Sequence, residues 1–303
     1  MGEPRLSAML PAIVAAVSFT VADILLKLIY KSGMDVLTLV SLRGILVVAF
    51  FWAWLRIDKP PRWHTPKERR IAIFLGVLFA GTMFGLLKSI ALLPVSIAIL
   101  AYFVYPILTG IGGALTGIDR LGWKAMLTAI VAFLGLALML GADIHMLSWI
   151  GVTYALLAAL ARVVSLLGTR AWLAGTDARV TTWYAMVPST IIFVIAAVAF
   201  GEWHFPNAAY GWWAFFGAAI TTTGSTLLIY VSTNRVGPFR TALAMNLEPL
   251  LTLIASMILL GETMSMVQLA GAGIMLSALC LFGEASVKYT LHTLGLQKAW
   301  AHK

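Results

Sequence analysis

The chain predicts an all-α integral membrane protein, with ten transmembrane helices as two inverted five-helix repeats around a central cavity. Three observations carry that prediction. The 303 residues are 61% hydrophobic and 11% charged, whereas soluble domains carry about 25% charged residues. Lipid must therefore solvate most of the surface. Ten apolar runs are long enough to cross a bilayer, which takes about 20 residues each. Runs eight to ten repeat features of runs three to five at a constant offset.

The runs lie near 7–30, 36–56, 70–92, 95–117, 122–141, 147–172, 180–201, 210–234, 239–260 and 265–284. The first sits where a signal peptide would. It is too long for one and ends in Asp23 and Lys27 rather than a small-residue cleavage site, so it is expected to be retained. Two connectors end in helix-start chemistry. Thr65-Pro66-Lys67-Glu68 combines a cap residue, a proline at the first helical position and a glutamate two residues beyond that proline. Ser265-Met266-Val267-Gln268 is a second capping box, and the two predict where spans three and ten begin. The longest connector, about 57–69, is basic and contains Pro60, Pro61 and Pro66; it predicts a solvated loop.

The formal net charge is +9. On a soluble protein this would suggest nucleic acid; here the basic residues fall between apolar runs and report orientation instead. Lys27, Arg43, Lys88 and Arg162 lie within spans and Lys31 lies on one side, while the other 16 of the 21 Lys and Arg fall on the opposite side. Both termini are therefore expected in the cytoplasm; the membrane is expected to be a plasma (bacterial inner) membrane. The single cysteine, Cys280, excludes an intrachain disulfide.

Sliding the chain by 143 residues aligns residues 81–138 with the second half without a gap. Gly81 meets Gly224, Ser89 meets Ser232, Pro106 meets Pro249, Leu108-Thr109 meets Leu251-Thr252, and Asp119 falls on Glu262. Spans three to five thus map onto eight to ten, giving repeats at 1–143 and 144–286 and a cytoplasmic tail at 287–303. Five is odd, so the second repeat enters the membrane from the opposite side. Inverted repeats are common in transporters, whose sites lie near the midplane between the repeats.

Pro106 and Pro249 lie roughly 16 and 15 Å into their spans at 1.5 Å per residue, near the middle of the hydrocarbon layer. A mid-helix proline frees a carbonyl, here near Tyr102 and Met245, and kinks the helix. Both are hinge candidates. Gly81, Met83, Phe84, Tyr102, Tyr105, Thr222, Ser225, Met245 and Asn246, with Lys88 near the outer end of span three, are candidates for a substrate cavity. Their small residues also suit close helix packing, and their aromatic rings also suit core or lipid contact. Ionisable side chains in lipid usually face a cavity or a partner, which makes Glu248, Asp23, Arg43 and Arg162 candidates for charge or proton coupling. Snorkelling or helix tying would account for the same residues. No HExxH, GxSxG or GxxxxGK pattern occurs, and His64, His145, His204, His292 and His302 fall in loops or the tail. No enzyme activity, cofactor or metal site is expected.

Asn246-Leu247-Glu248-Pro249-Leu250, followed by Leu260-Gly261-Glu262 and the small-residue stretch Gly271-Ala272-Gly273, resembles the end of an EamA domain in the drug/metabolite transporter superfamily. The first half carries a degenerate copy, Tyr105-Pro106-Ile107-Leu108 then Gly117-Ile118-Asp119, with tyrosine where the motif has glutamate. Within the superfamily the chain looks most like YddG-type aromatic amino-acid exporters. The resemblance implies spans three, four, eight and nine around a central cavity and export of aromatic or apolar amino acids by alternating access. A sugar-phosphate, nucleotide-sugar or drug substrate stays open, because four cations in spans face two carboxylates, Asp23 and Glu248. A membrane sensor or lipid-modifying enzyme is the remaining class. The expected partners are a small-molecule substrate and the bilayer, with no nucleic acid; a monomer suffices, and a homodimer is not excluded.

Overall fold

The computed structural model describes residues 6–119, 122–141, 148–201, 203–260 and 265–293. They form helices throughout: α1 (Leu6–Lys31), α2 (Val36–Ile57), α3 (Pro66–Leu92), α4 (Val95–Tyr102), α5 (Tyr105–Thr116), α6 (Trp123–Leu140), α7 (Trp149–Trp172), α8 (Ala178–Phe200), α9 (Ala209–Val236), α10 (Pro238–Ala244), α11 (Leu247–Leu260) and α12 (Met266–Thr293). Taking α4 with α5 and α10 with α11, nine segments among the described residues are long and apolar enough to cross a membrane. The tenth predicted span is α12, whose described apolar part is Met266–Leu281. This helix continues through residue 286 to Thr293, so the start of the expected tail is helical; residues 294–303 lie outside the described residues.

Local chemistry sets the helix starts. Asp35 caps α2 by accepting from the Thr38 N–H at 3.0 Å. Thr65 and Glu68 close the first predicted capping box, with Glu68 Oε2 accepting from Thr65 N–H at 2.8 Å. Ser265 and Gln268 close the second in the same way at 2.9 and 3.3 Å. Each box satisfies two backbone donors that a helix start leaves without intrahelical partners.

The packing follows the repeat. α1 lies along α9, and their counterparts under the 143-residue offset, α7 and α3, lie along each other. α2 pairs with α8 and α6 with α12, each helix with its own counterpart. The last pair crosses backbone to backbone. A β-carbon on Gly135 would lie 2.6 Å from the Met275 nitrogen, and one on Gly271 would lie 2.7 Å from the Gly135 carbonyl oxygen. Hydrocarbon gives helices no hydrophobic reason to associate, so such small-residue contacts supply the dispersion that holds them.

One contact breaks the two-fold relation. α3 packs closely along α8, whereas the equivalent pair, α2 and α9, touch much less. The α3–α8 contact is tightest where Gly76 meets the Ala185 backbone and Pro188, in the half of the bundle nearer the basic loops. That end is fastened further. Arg179 binds Asp177 and Asp58 and lies 5.3 Å over the Trp54 ring. Burial works against ionisation of Asp177, but its hydrogen bonds from Arg179 outweigh it and hold the carboxyl below the usual range. Asp119 reaches across to the second repeat and accepts from the Phe239 N–H at 3.1 Å; burial still pushes its carboxyl above the usual range. The bundle is therefore closed at its basic end.

Overpacking a tight core contact costs about 1–3 kcal/mol. Gly135→Leu and Gly271→Leu should each lower the melting temperature in detergent. Gly273→Ala, where an added β-carbon meets nothing within 4 Å, should leave it unchanged.

Candidate functional site

The site begins with two interrupted helices. Span four breaks at Phe103 and Val104, and span nine at Met245 and Asn246, just before Pro106 and Pro249. Proline cannot donate to the carbonyl four residues earlier. The Met245 carbonyl left over by Pro249 is taken up locally, since the Glu248 N–H donates to it at 3.1 Å. The carbonyl predicted to be free there is thus already engaged. Half-helix α11 is fastened to α1 by three bonds in register: Thr20 Oγ1 donates to the Glu248 carbonyl at 3.4 Å, Thr252 Oγ1 to Asp23 Oδ2 at 2.9 Å, and Lys27 Nζ to Ser256 Oγ at 3.1 Å.

Beside these breaks lies a cavity of about 440 Å³. It runs from the midplane toward the end of the bundle opposite the basic loops, reaching Ile90, Leu140 and Ser256 near the far ends of α3, α6 and α11. Its wall is largely aromatic and aliphatic, with Phe19, Phe79, Phe103, Phe193, Met83 and Met186, and the paired rings of Tyr102 and Tyr105 at 5.2 Å. Four charged side chains interrupt it: Asp23, Arg43, Arg162 and Glu248, all half-buried. The Arg162 guanidinium lies 5.9 Å over the Tyr105 ring, and its Nε is buried without a hydrogen-bond partner among the described residues. Glu248 lies within electrostatic reach of Asp23 and Arg162.

Eight of the predicted residues thus meet at one place: Met83, Tyr102, Tyr105 and Thr222 with the four charges, and Pro249 lines the same wall. The others do not line it. Gly81, Phe84 and Lys88 are exposed on another face of α3. The cavity-facing positions of that helix are 79, 83, 86 and 90, and a displacement of one or two residues turns a side chain about 100–200° away. Phe84 packs edge-on against Tyr154 instead. Ser225 is buried between helices, where its hydroxyl donates to the Ala15 carbonyl at 3.1 Å. Met245, Asn246 and Pro106 are buried at the breaks, and Asn246 Oδ1 has no partner among the described residues.

Sequence reasoning missed Phe19, Phe79, Ser189, Thr190, Phe193, Thr226, Thr252 and Ser256. The repeat carried a signal for several of them. Positions 19 and 162, 43 and 186, 47 and 190, 79 and 222, 83 and 226, and 105 and 248 are each 143 apart, and all twelve line the cavity. Applying the offset to Arg43, Met83 and Arg162 would have pointed to Met186, Thr226 and Phe19. The wall is also wider than the resemblance implies, since α1, α2, α7 and α8 contribute beside spans three, four, eight and nine.

Comparison with known proteins agrees with this architecture. The chain is 28% identical over 266 residues to the threonine/homoserine exporter RhtA of Escherichia coli (strain K12), covering 86% of this chain and 84% of that one. It is 30% identical over 280 residues to RhtA of Salmonella typhimurium (strain SL1344), covering 90% and 86%. These relatives are threonine/homoserine exporters, so the comparisons support the wider superfamily and not the YddG type in particular. A solved crystal structure shares the fold, with a TM-score of 0.78 at 16% identity over 94% of this chain and 99% of that one. The model of the EamA-like transporter family matches residues 6–141 and again 149–283, and with one match in each half of the bundle the chain belongs to that family, within the drug/metabolite transporter superfamily.

Proposed function

We propose that the protein exports zwitterionic amino acids across the bacterial inner membrane, with both termini in the cytoplasm, by alternating access about the breaks at Pro106 and Pro249. One observation carries this reading: two cations and two carboxylates, Arg43, Arg162, Asp23 and Glu248, share one cavity whose wall is largely aromatic and aliphatic. The excess of cations counted along the sequence is smaller at that wall: Lys88 is exposed elsewhere, and Lys27 does not line it but donates to the wall residue Ser256. A balanced set suits a ligand carrying both signs. An unsatisfied buried donor such as Arg162 Nε costs about 1–3 kcal/mol, and a substrate carboxylate would satisfy it. Asp23 and Glu248 would receive the ammonium. A sugar phosphate or nucleotide-sugar would lack the surplus of cations it needs, and a cationic drug would offer neither arginine a carboxylate.

The aromatic wall favours an apolar or aromatic side chain. The hydroxyls of Ser189, Thr190, Thr222 and Thr226 favour a small hydroxylated one, the kind that the RhtA relatives are named for. The orientation with the cavity open to the outside rests on the sequence bias of 16 Lys and Arg against one, with the described basic loops at the closed end.

Counterflow in proteoliposomes tests the reading. Labelled phenylalanine or threonine should exchange, and unlabelled amino acids should compete. The corresponding amines and keto acids, which carry one sign each, should not. Competition by the amine alone or by a sugar phosphate would overturn the zwitterion reading, and running the assay with and without a pH gradient reports proton coupling.

Losing one partner of a buried charge pair costs about 2–5 kcal/mol, or at least thirtyfold in affinity. Arg162→Gln and Asp23→Asn should therefore raise the half-saturating substrate concentration by about that factor. Lys88→Gln should leave it unchanged.

A further inference from the structure

The basic end of the bundle carries a second hollow, of about 220 Å³, apart from the central cavity. Trp52, Leu55 and Arg56 of α2, Lys59 and Trp63 of the following loop, and Trp183 of α8 line it. Its chemistry changes with depth. Trp52 and Trp183 lie five residues from the ends of α2 and α8, or about 8 Å at 1.5 Å per residue. Arg56 and Lys59 are exposed at the rim.

The polar groups that line it are donors. The Trp183 indole Nε1 is buried without a hydrogen-bond partner among the described residues. Arg56 lies 5.2 Å over the Trp52 ring, which holds its guanidinium beside the hollow. No lining residue is acidic. The carboxylates of the neighbouring segments are engaged elsewhere: Asp58 and Asp177 bind Arg179, and Glu68 binds Arg62 at 2.7 Å. An indole N–H, a guanidinium and an ammonium around an apolar floor at interfacial depth suit an anion attached to an apolar body. Basic pockets between helices on the cytoplasmic side bind anionic headgroups for this reason.

We propose that this hollow binds an anionic phospholipid from the leaflet at the basic end, with the phosphate between Arg56 and Lys59, a glycerol ester carbonyl accepting from the Trp183 N–H, and the start of the acyl chains on Trp52 and Leu55. The bound lipid braces α2 against α8. Trp183 meets Trp63 edge-on at 6.3 Å, and His64 Nε2 pairs with Thr181 Oγ1 at 2.9 Å, so the hollow is part of the same end closure that Arg179 makes. The site is independent of the transported substrate, and its test does not require transport.

Native mass spectrometry of the full-length protein in mixed micelles tests it, with phosphatidylglycerol in one set and phosphatidylcholine in the other. One phosphatidylglycerol should be retained in preference to phosphatidylcholine. At about 1 kcal/mol per basic side chain near an anionic surface, Arg56→Gln with Lys59→Gln should reduce that preference roughly thirtyfold. Trp183→Phe keeps the aromatic packing, removes the N–H and should weaken retention with an unchanged melting temperature. Inorganic phosphate should leave the lipid in place. Equal retention of the two lipids, an undiminished preference in both variants, or displacement of the lipid by inorganic phosphate would overturn the proposal.

Discussion

Hydrocarbon offers backbone N–H and C=O groups no hydrogen bonds, and each group left unsatisfied costs several kcal/mol. A helix that stops in mid-membrane is tolerated where protein or a cavity surrounds its ends. Two spans of this chain stop there, at Phe103–Val104 and Met245–Asn246, and the rest of the bundle is arranged about those breaks. The Glu248 N–H turns back to Met245, α1 bonds to α11 along three positions, and the cavity opens beside both breaks. The prolines that interrupt the helices also place Tyr105 and Glu248, the residues just before them, at the cavity wall.

The two repeats share a geometry and divide the chemistry. Six pairs of positions related by 143 residues line one cavity. In five of them the second half supplies the more polar or charged member: Arg162 against Phe19, Thr190 against Val47, Thr222 against Phe79, Thr226 against Met83, and Glu248 against Tyr105. The sixth reverses this, with Arg43 against Met186. A duplicated scaffold thus yields an asymmetric site, able to hold opposite charges on a ligand that has no symmetry of its own. The same asymmetry shapes the ends, where α3 packs closely along α8 while α2 and α9 touch much less.

Much of this was legible in the residues. Hydropathy located the spans, the capping boxes at 65–68 and 265–268 located two helix starts, and the charge distribution separated the two ends. The paired prolines pointed to both breaks. Helical phase was not legible. Gly81, Phe84 and Lys88 lie on the wrong face of α3, because a helix that is apolar on nearly every side within the membrane shows too little contrast to tell which side faces protein. The contribution of α1, α2, α7 and α8 was also hidden, since nothing local in Thr190 or Phe193 distinguishes a cavity-facing residue from a lipid-facing one. The second hollow depends on where the loop at 57–65 folds back against α8, which no periodicity reports.

The central cavity, polar and aromatic, is closed at the basic end and open at the other. The lone cysteine, Cys280, allows a direct test in a Cys280→Ser background with Thr190→Cys, a substitution of similar size in the cavity wall. A membrane-impermeant maleimide should label this cysteine from the side opposite the basic loops, and a transported amino acid should slow the reaction. Labelling from the basic side alone, or labelling that substrate leaves unchanged, would contradict the account.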